Sequence, residues 1–318
     1  KIGFALQMVR EILCSSRLDD EKRLYEIIAQ MKSRSQVRLN QASHSAAVLR
    51  ATAYDSPSAY FSDLTGGIAL YQFIEELESH FDERKDTTDD DGYRSLIEPL
   101  REFKKSLCGC LEEKDTSQEI PYHLCRRNEG FKTSSQVQYV ARTGNFVRAG
   151  YSYTGALKIL KVILNYDYLW INLRVKGGAY GCMSGFNRVG DGYLVSYRDP
   201  NLKETNQVFE NVVKYLEEFD ADERDMTKYV IGTISDLDVP LLAPYKGSKA
   251  DAAYFSHLTD EMIKKEREEI LKATKEDIRA LAPVIREIIS TGSFCVIGNA
   301  EKIRENQELF GEVKNLFN

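Results

Sequence analysis

An internal repeat limits the folds open to this chain more than any other feature of its sequence. The segment Ala59-Tyr-Phe-Ser-Asp-Leu-Thr65 recurs as Ala253-Tyr-Phe-Ser-His-Leu-Thr259, with one substitution. Two weaker matches keep the same order along the chain: Asp20–Leu24 with Asp222–Met226, and Leu100–Phe103 with Ile285–Ile288. The offsets indicate a duplicated unit of roughly 190 residues, with loop insertions of different length between its helices.

The two copies differ in what precedes their helices. Residues 1 to about 106 carry the apolar spacing of helices almost throughout. The second copy opens instead with strand patterns: Val137–Ala141, Leu173–Asn187 and Gly192–Tyr197. We therefore expect the first copy to start partway through, with on the order of 60 strand-rich residues preceding Lys1. The predicted organisation is a helical remainder with its last strand in residues 1–115, a linker in 116–134 and a complete domain in 135–318.

Composition excludes several classes of partner. The chain has 43 basic and 49 acidic residues and a net charge of −6, which argues against nucleic acid as the main partner. The longest apolar stretch, Ala156–Leu173, is interrupted by Lys158, Lys161 and Asp167, so no membrane-spanning segment is expected. Six cysteines in 318 residues are too few for a disulfide scaffold and indicate a reducing compartment.

Metal-binding motifs are scarce. The chain has four histidines: His44, His80, His123 and His257. None of them belongs to a His-Glu-x-x-His motif or to its inverted form. The residues whose spacing most resembles that of a metal site form two pairs, Cys108 with Cys110 and His123 with Cys125. Four such ligands suit tetrahedral zinc, although buried thiols on strands explain them as well. A zinc-stapled interaction module therefore remains an alternative interpretation.

The segment Leu173-Arg-Val-Lys-Gly-Gly-Ala-Tyr-Gly181 carries the most distinctive chemistry. Paired glycines inside a strand pattern weaken the strand unless another backbone approaches closely. Arg174 and Tyr180 bracket Gly177 and Gly178, and both are strong hydrogen-bond donors. Together these residues could hold a peptide backbone or a developing oxyanion. A structural hairpin, with glycines for its turn and Arg174 and Tyr180 at its rim, explains the same pattern equally well.

This segment also carries a family resemblance. With its neighbours it resembles the C-terminal half of insulinase-type (M16) zinc metallopeptidases, in particular the presequence-protease branch with its falcilysin-like members. The supporting motifs are Tyr168-Leu-Trp170, Ser196-Tyr-Arg-Asp-Pro200, Asp236-Leu-Asp-Val-Pro240 and Pro244-Tyr-Lys-Gly247. The resemblance implies an α+β fold of tandem α/β-roll domains, each with an antiparallel sheet packed against helices. Residues 1–115 would be the helical part of the third domain, and 135–318 the complete fourth.

The resemblance also implies a function. Members of the family close two halves around an unfolded peptide, with zinc held in the first domain on a motif that this chain lacks. This chain is then the substrate-clamping half, without a metal site and inactive alone. Arg174 and Tyr180 would orient the scissile peptide and support the transition state, and Gly177 and Gly178 would contact the substrate.

The same resemblance names partners and a compartment. The implied partners are an unfolded peptide and the N-terminal catalytic half of the same polypeptide, with no nucleic acid and no membrane. The implied compartment is the bacterial cytoplasm or an organelle matrix. A family member that has lost its metal motif and serves as a non-catalytic peptide-binding scaffold remains an alternative.

Overall fold

A computed structural model describes residues 1–17, 20–84, 98–102, 104–105, 122–123 and 125–317, with the side chains of Glu21 and residues 80–84 left out. The chain divides into two units. The first comprises Lys1–Gln41 and Leu64–Tyr122, and the second comprises Ala42–Asp63 and His123–Asn318. The segment Ala42–Asp63, which the repeat assigns to the first copy, is therefore packed with the second unit.

Helices form the described part of the first unit. They are α1 (Ile2–Ser15), α2 (Glu21–Gln41) and α5 (Ile68–Arg84), and α4 (Pro57–Gly66) spans both units. Ile28 of α2 and Ile74 of α5 are buried against each other, as the apolar spacing predicts. Beside them, the Lys32 ammonium donates to Glu78 over 2.7 Å, which joins the same two helices.

A six-stranded sheet forms the centre of the second unit, with the strand order β3-β4-β2-β5-β1-β6. Its strands are β1 (Asn128–Thr133), β2 (Tyr139–Asn145), β3 (Gly181–Phe186), β4 (Asp191–Tyr197), β5 (Phe294–Asn299) and β6 (Glu312–Asn315). The predicted α+β class is confirmed. The sheet is mixed, however, because β1 pairs in parallel with β5 and β6 while the other neighbours are antiparallel.

The linker predicted for 116–134 is wrong over its last part. Asn128–Thr133 is a strand of the sheet, in register with Phe294–Asn299. Its sequence, Asn-Glu-Gly-Phe-Lys-Thr, lacks the apolar alternation of a half-buried strand. The strand forms because β5 and β6 pair with it on either side. Its Glu129 is buried because the carboxylate pairs with the Arg50 guanidinium, not because it makes apolar contacts. The other predicted domain limits stay predictions.

The remaining helices of the second unit cover this sheet. They are α3 (Ser43–Thr52), α6 (Ala156–Ile163), α7 (Lys203–Glu210), α8 (Val212–Glu217), α9 (Glu223–Leu237), α10 (Ala243–Phe255), α11 (Asp260–Lys272), α12 (Lys275–Arg279), α13 (Ala282–Thr291) and α14 (Ala300–Glu305). The main core joins Leu194 and Val296 of the sheet to Leu160 of α6 and Ile285 of α13. Helix α3 packs on β2, β4 and β5, and its buried residues are serine and alanine, which permits close approach.

The repeat is visible in the way its helices begin. Asp20 accepts the Arg23 N–H at 2.9 Å, and Asp222 accepts the Asp225 N–H at 2.8 Å, so both copies start a helix with the same capping contact. The repeated heptapeptide differs in conformation. Its first copy lies within α4, whereas its second copy ends α10 and places His257 at a φ of 54°.

A buried ion cluster ties α3 and α4 to β1. The Arg50 guanidinium donates to both carboxylate oxygens of Glu129, at 2.8 and 3.1 Å, and to Asp63 at 2.9 Å. The Tyr54 hydroxyl donates to Glu129 at 2.6 Å. Both carboxylate side chains are 2% exposed. Burial alone would raise the pKa of Glu129, but the hydrogen bonds and charge of Arg50 outweigh it and hold that pKa below its ordinary value.

Asp55, in the turn between α3 and α4, gives the second unit a measurable pH dependence. One carboxylate oxygen of Asp55 is buried without a hydrogen-bond partner among the described residues. Burial raises its pKa from 3.8 to about 6. The fold therefore favours the protonated carboxyl, so the stability contributed by Asp55 is complete below about pH 4 and is lost as the pH rises through 6.

The variant Asp55→Asn keeps a neutral side chain of the same shape. We expect its melting temperature to exceed that of the wild type by an amount that grows between about pH 4 and 7, reaching on the order of a few degrees. Calorimetry of both proteins across that range measures the difference. A difference that stays constant with pH would contradict the assignment of this pH dependence to Asp55.

No helix in the part of the chain described above has both the length and the apolar composition needed to cross a bilayer.

Candidate functional site

The motif segment begins on a helix, not on the predicted strand. The helix that starts as α6 continues through two π-helical stretches, Leu164–Tyr168 and Trp170–Lys176, and β3 starts only at Gly181. The strand prediction for Leu173–Asn187 is therefore wrong in its first part. The wider π-helical turns break the 3.6-residue period by which a helix is read from sequence, and such turns are frequent at functional sites.

Gly177 and Gly178 end this helix. Both of their N–H groups donate to the carbonyl of Arg174, and Gly178 has a φ of 81°. A side chain at Gly177 would place its Cβ 2.7 Å from the Leu173 carbonyl oxygen. Glycine is thus required here by the helix end itself. Their N–H groups are already used within the chain, and substrate contact by these glycines stays a prediction.

Arg174 and Tyr180 come together, as the motif predicts. The Arg174 guanidinium carbon lies 4.4 Å from the Trp170 ring centre and 5.2 Å from the Tyr180 ring centre. Arg174 Nη1 also donates to the backbone carbonyl of Tyr180. The Tyr180 side chain is 62% exposed, so the hydroxyl is available to a ligand. Cation–π contact on two sides orients the guanidinium.

A second turn, directly after β4, supports the first. Asn201 Nδ2 donates to the Gly177 carbonyl at 2.6 Å, and the Tyr180 N–H donates to the carbonyls of Tyr197 and Arg198. Asp199 is fully buried, and it accepts the Thr205 hydroxyl at 2.7 Å and the Asn201 N–H at 2.9 Å. Burial raises the pKa of Asp199, which these hydrogen bonds partly offset. The two turns are therefore held as one unit.

Arg198 completes this group, and the sequence patterns gave it no role. Its guanidinium carbon lies 6.0 Å from the Tyr180 ring centre and 5.5 Å from that of Tyr197. Its φ of 48° is in the left-handed region, which is uncommon for a residue other than glycine. The signal that could have found it is the Ser196-Tyr-Arg-Asp-Pro200 motif, where an arginine directly follows a strand.

A cavity lies close to these residues, and contacts between aromatic rings link Tyr180 to one of the residues that line it. Tyr197 lies 5.8 Å from Tyr180 and 4.8 Å from His44, measured between ring centres. His44 lines a cavity of about 710 Å³ between α3 and the β3–β4 hairpin. Much of its lining is apolar and includes Val48, Leu49, Met183, Phe186 and Val195. Burial lowers the pKa of His44, so this wall of the cavity is neutral around pH 7.

The alternative zinc module would place a metal ion within this chain, whereas the family resemblance implies zinc in another domain. Among the residues that the structure describes, no three histidine, cysteine, aspartate or glutamate side chains form a group that could hold a metal ion. Cys108 and Cys110 of the alternative zinc module lie outside the described residues. His123 and Cys125, its other two members, are exposed. That alternative stays untested.

Family comparisons match nearly the whole chain. A family profile described as "PreP C-terminal domain" matches residues 128–300, and a profile for the region associated with subfamily C of the M16 peptidases matches residues 1–77. Protein HypA of Clostridium perfringens is 37% identical over 99% of this chain and 34% of its own length. Presequence protease 1, chloroplastic/mitochondrial, of Arabidopsis thaliana is 28% identical over 95% of this chain and 30% of its own. The chain thus spans about a third of the length of these relatives.

Solved structures with low sequence identity share the fold. A conserved protein from Enterococcus faecalis V583 aligns with 93% of this chain and 73% of its own, at a TM-score of 0.54 and 14% identity. Pitrilysin aligns with 97% of this chain and 36% of its own, at a TM-score of 0.53 and 12% identity. These structural similarities support the fold described above, and the family relationship is shown by the sequence matches.

Proposed function

This chain belongs to the presequence-protease family of M16 peptidases, and from that premise we propose that it is the substrate-binding C-terminal half of an endopeptidase that degrades unfolded peptides in a closed chamber. The observation that carries the proposal is the convergence of Arg174 and Tyr180. One ends a helix and the other precedes an edge strand, yet the guanidinium lies 5.2 Å from the ring. Tyr180 is exposed, and Arg174 has no carboxylate partner among the described residues.

These two side chains act on the scissile peptide as donors. The guanidinium has five N–H groups, of which one is used on the Tyr180 carbonyl, so the others can reach a substrate carbonyl oxygen. The Tyr180 hydroxyl can donate to the same oxygen. Donors held in place before the reaction stabilise the negative charge that develops there during attack on the peptide carbonyl. The stacked rings and the two bonded turns hold them in position.

The zinc of this peptidase is proposed to lie outside this chain, in the N-terminal half of the same polypeptide. The described residues offer no group of three or more ligands for that ion. The proposed partners are therefore the catalytic half and an unfolded peptide. The proposed compartment is the bacterial cytoplasm or an organelle matrix, where the relatives named as mitochondrial or chloroplastic presequence proteases support the second choice.

Binding without cleavage by this chain alone tests the proposal. The single tryptophan, Trp170, lies 4.4 Å from Arg174, so its fluorescence should change as an unfolded peptide binds. We expect saturable binding and no chelator-sensitive cleavage, even with zinc added. Cleavage that a chelator abolishes would contradict the assignment of the metal to another part of the protein. The absence of any binding would contradict the substrate-binding role.

The scaffold alternative differs in one respect. A non-catalytic scaffold would bind peptide in the same way, but the longer polypeptide would leave it intact. Chelator-sensitive cleavage by that polypeptide therefore separates the two proposals.

A further inference from the structure

We propose that Arg198, which lies beside Arg174 and Tyr180, binds a carboxylate group of the peptide substrate. This inference rests on the proposed function and names a chemical feature of the substrate. It assigns a role to Arg198, which the family resemblance left without one.

Two guanidinium groups lie near the exposed ring of Tyr180. The guanidinium carbons of Arg174 and Arg198 lie 5.2 and 6.0 Å from the Tyr180 ring centre. Neither arginine forms an ion pair with a carboxylate in the described part of the chain, although 29% of all residues are charged. A guanidinium group without a counter-ion attracts an external anion, and Arg198 presents one beside the same exposed ring that Arg174 contacts.

The nearest acid in sequence does not neutralise Arg198. Asp199 follows it directly, but its side chain points into the protein, where the Thr205 hydroxyl and the Asn201 N–H occupy it. Its carboxylate therefore builds the turn and leaves the neighbouring guanidinium exposed to solvent. The planar fork of arginine suits a carboxylate because two parallel N–H groups match its two oxygens.

The backbone at Arg198 has an uncommon, left-handed conformation, with a φ of 48°. A left-handed conformation is unfavourable for a residue with a Cβ, and glycine or asparagine would adopt it more easily. The turn overcomes this cost through the carbonyl of Arg198, which accepts the Tyr180 N–H at 3.2 Å, and through buried Asp199. Strain of this kind is concentrated at functional sites. An arginine in such a turn supports a role for its charge.

The carboxylate has two sources in an unfolded peptide: the chain end and an acidic side chain. Three probes separate them, all based on one uncharged ten-residue sequence. The first has a free C-terminal carboxylate, the second has a C-terminal amide, and the third has the amide and one central aspartate. Binding to the 318-residue chain is followed through the Trp170 fluorescence at low salt, and repeated at high salt.

We expect at least one carboxylate-bearing probe to bind about 10-fold more tightly than the amide, as for a charge-assisted bond pair. Preference for the first probe identifies the chain end, and preference for the third identifies a side chain. Arg198→Asn should remove the preference, because asparagine tolerates the left-handed turn but has no guanidinium group. Arg198→Gly should do the same. Arg224→Asn, at an exposed arginine of α9 without an ion pair among the described residues, is the matched control.

Equal binding of all three probes by the wild type would overturn the inference, as would a preference that survives in both Arg198 variants. Melting temperatures of the variants establish that the turn still folds. The proposed function has a separate test, since loss of cleavage in an Arg174 variant does not depend on the carboxylate preference.

Discussion

The Arg50→Met variant is expected to lose about 3–5 kcal/mol of the free energy of unfolding of the second unit. Arg50 is the shared cation of Glu129 and Asp63, and both carboxylate side chains are 2% exposed. Methionine fills similar space but removes the cation that the two buried carboxylates share. Urea unfolding followed by circular dichroism measures the loss.

A matched control separates burial from charge. Arg267 donates to Asp238 at 2.8 Å on the surface of the same unit, and both side chains there are more than two-fifths exposed. Arg267→Met makes the same chemical change but should affect stability far less, because water screens an exposed pair. The triple variant Arg50→Met, Glu129→Gln, Asp63→Asn should recover most of the lost stability, since no charge stays buried. A loss no greater for Arg50→Met than for the control would contradict the assigned role.

The pH dependence of this cluster has a defined sign. The pKa of Glu129 is lowered in the fold, so the stability that the ionised carboxylate contributes is present above its ordinary pKa and is lost as the pH falls through the lowered value. Asp55 acts in the opposite direction, losing its contribution as the pH rises through about 6. These opposed contributions can be separated by comparing the Glu129→Gln and Asp55→Asn variants.

The second large effect is on catalysis. In the longer polypeptide, Arg174→Ala is expected to lower kcat/KM by on the order of 10²-fold, the cost of removing one oxyanion donor. The loss should fall mainly on kcat, because the donor acts on charge that develops during the reaction. Lys176→Ala is the control. This lysine lies in the same last helical turn, and its ammonium donates to Asn172 within the helix.

A conservative variant sharpens this prediction. Arg174→Lys keeps a positive charge but loses the planar fork and the stacking between Trp170 and Tyr180. We expect it to recover only a small part of the activity. A rate within about twofold of the wild type for Arg174→Ala would show that the guanidinium takes no part in the reaction.

Local signals in the sequence predicted much of the fold. The repeat identified Asp20 and Asp222 as equivalent positions, and both cap helices through the same contact. Thr274 opens α12 with a reciprocal capping box, a pattern that can be read from its three-residue spacing to Asp277. Arg174 and Tyr180 were proposed as site residues because a specific motif holds them only six residues apart. Each of these features depends on residues that are close in sequence.

Features that depend on distant residues were not predictable in this way. Strand β1 has a polar sequence and is stable because β5, far along the chain, pairs with it. Helix α3 belongs to the first copy by sequence but packs with the sheet of the second unit through small residues. The role of Arg198 depends on a backbone conformation that no periodic pattern shows.

A double-mutant cycle on Arg174 and Tyr180 in the longer polypeptide tests the central claim most directly. The measured quantity is kcat/KM for Arg174→Ala, Tyr180→Phe and the two combined, where phenylalanine keeps the ring that stacks on the guanidinium. If both donors act on one carbonyl oxygen, each single variant should lose on the order of 10²-fold, and the double variant should lose much less than the product of the two. Single variants that both cleave at the wild-type rate would contradict the account.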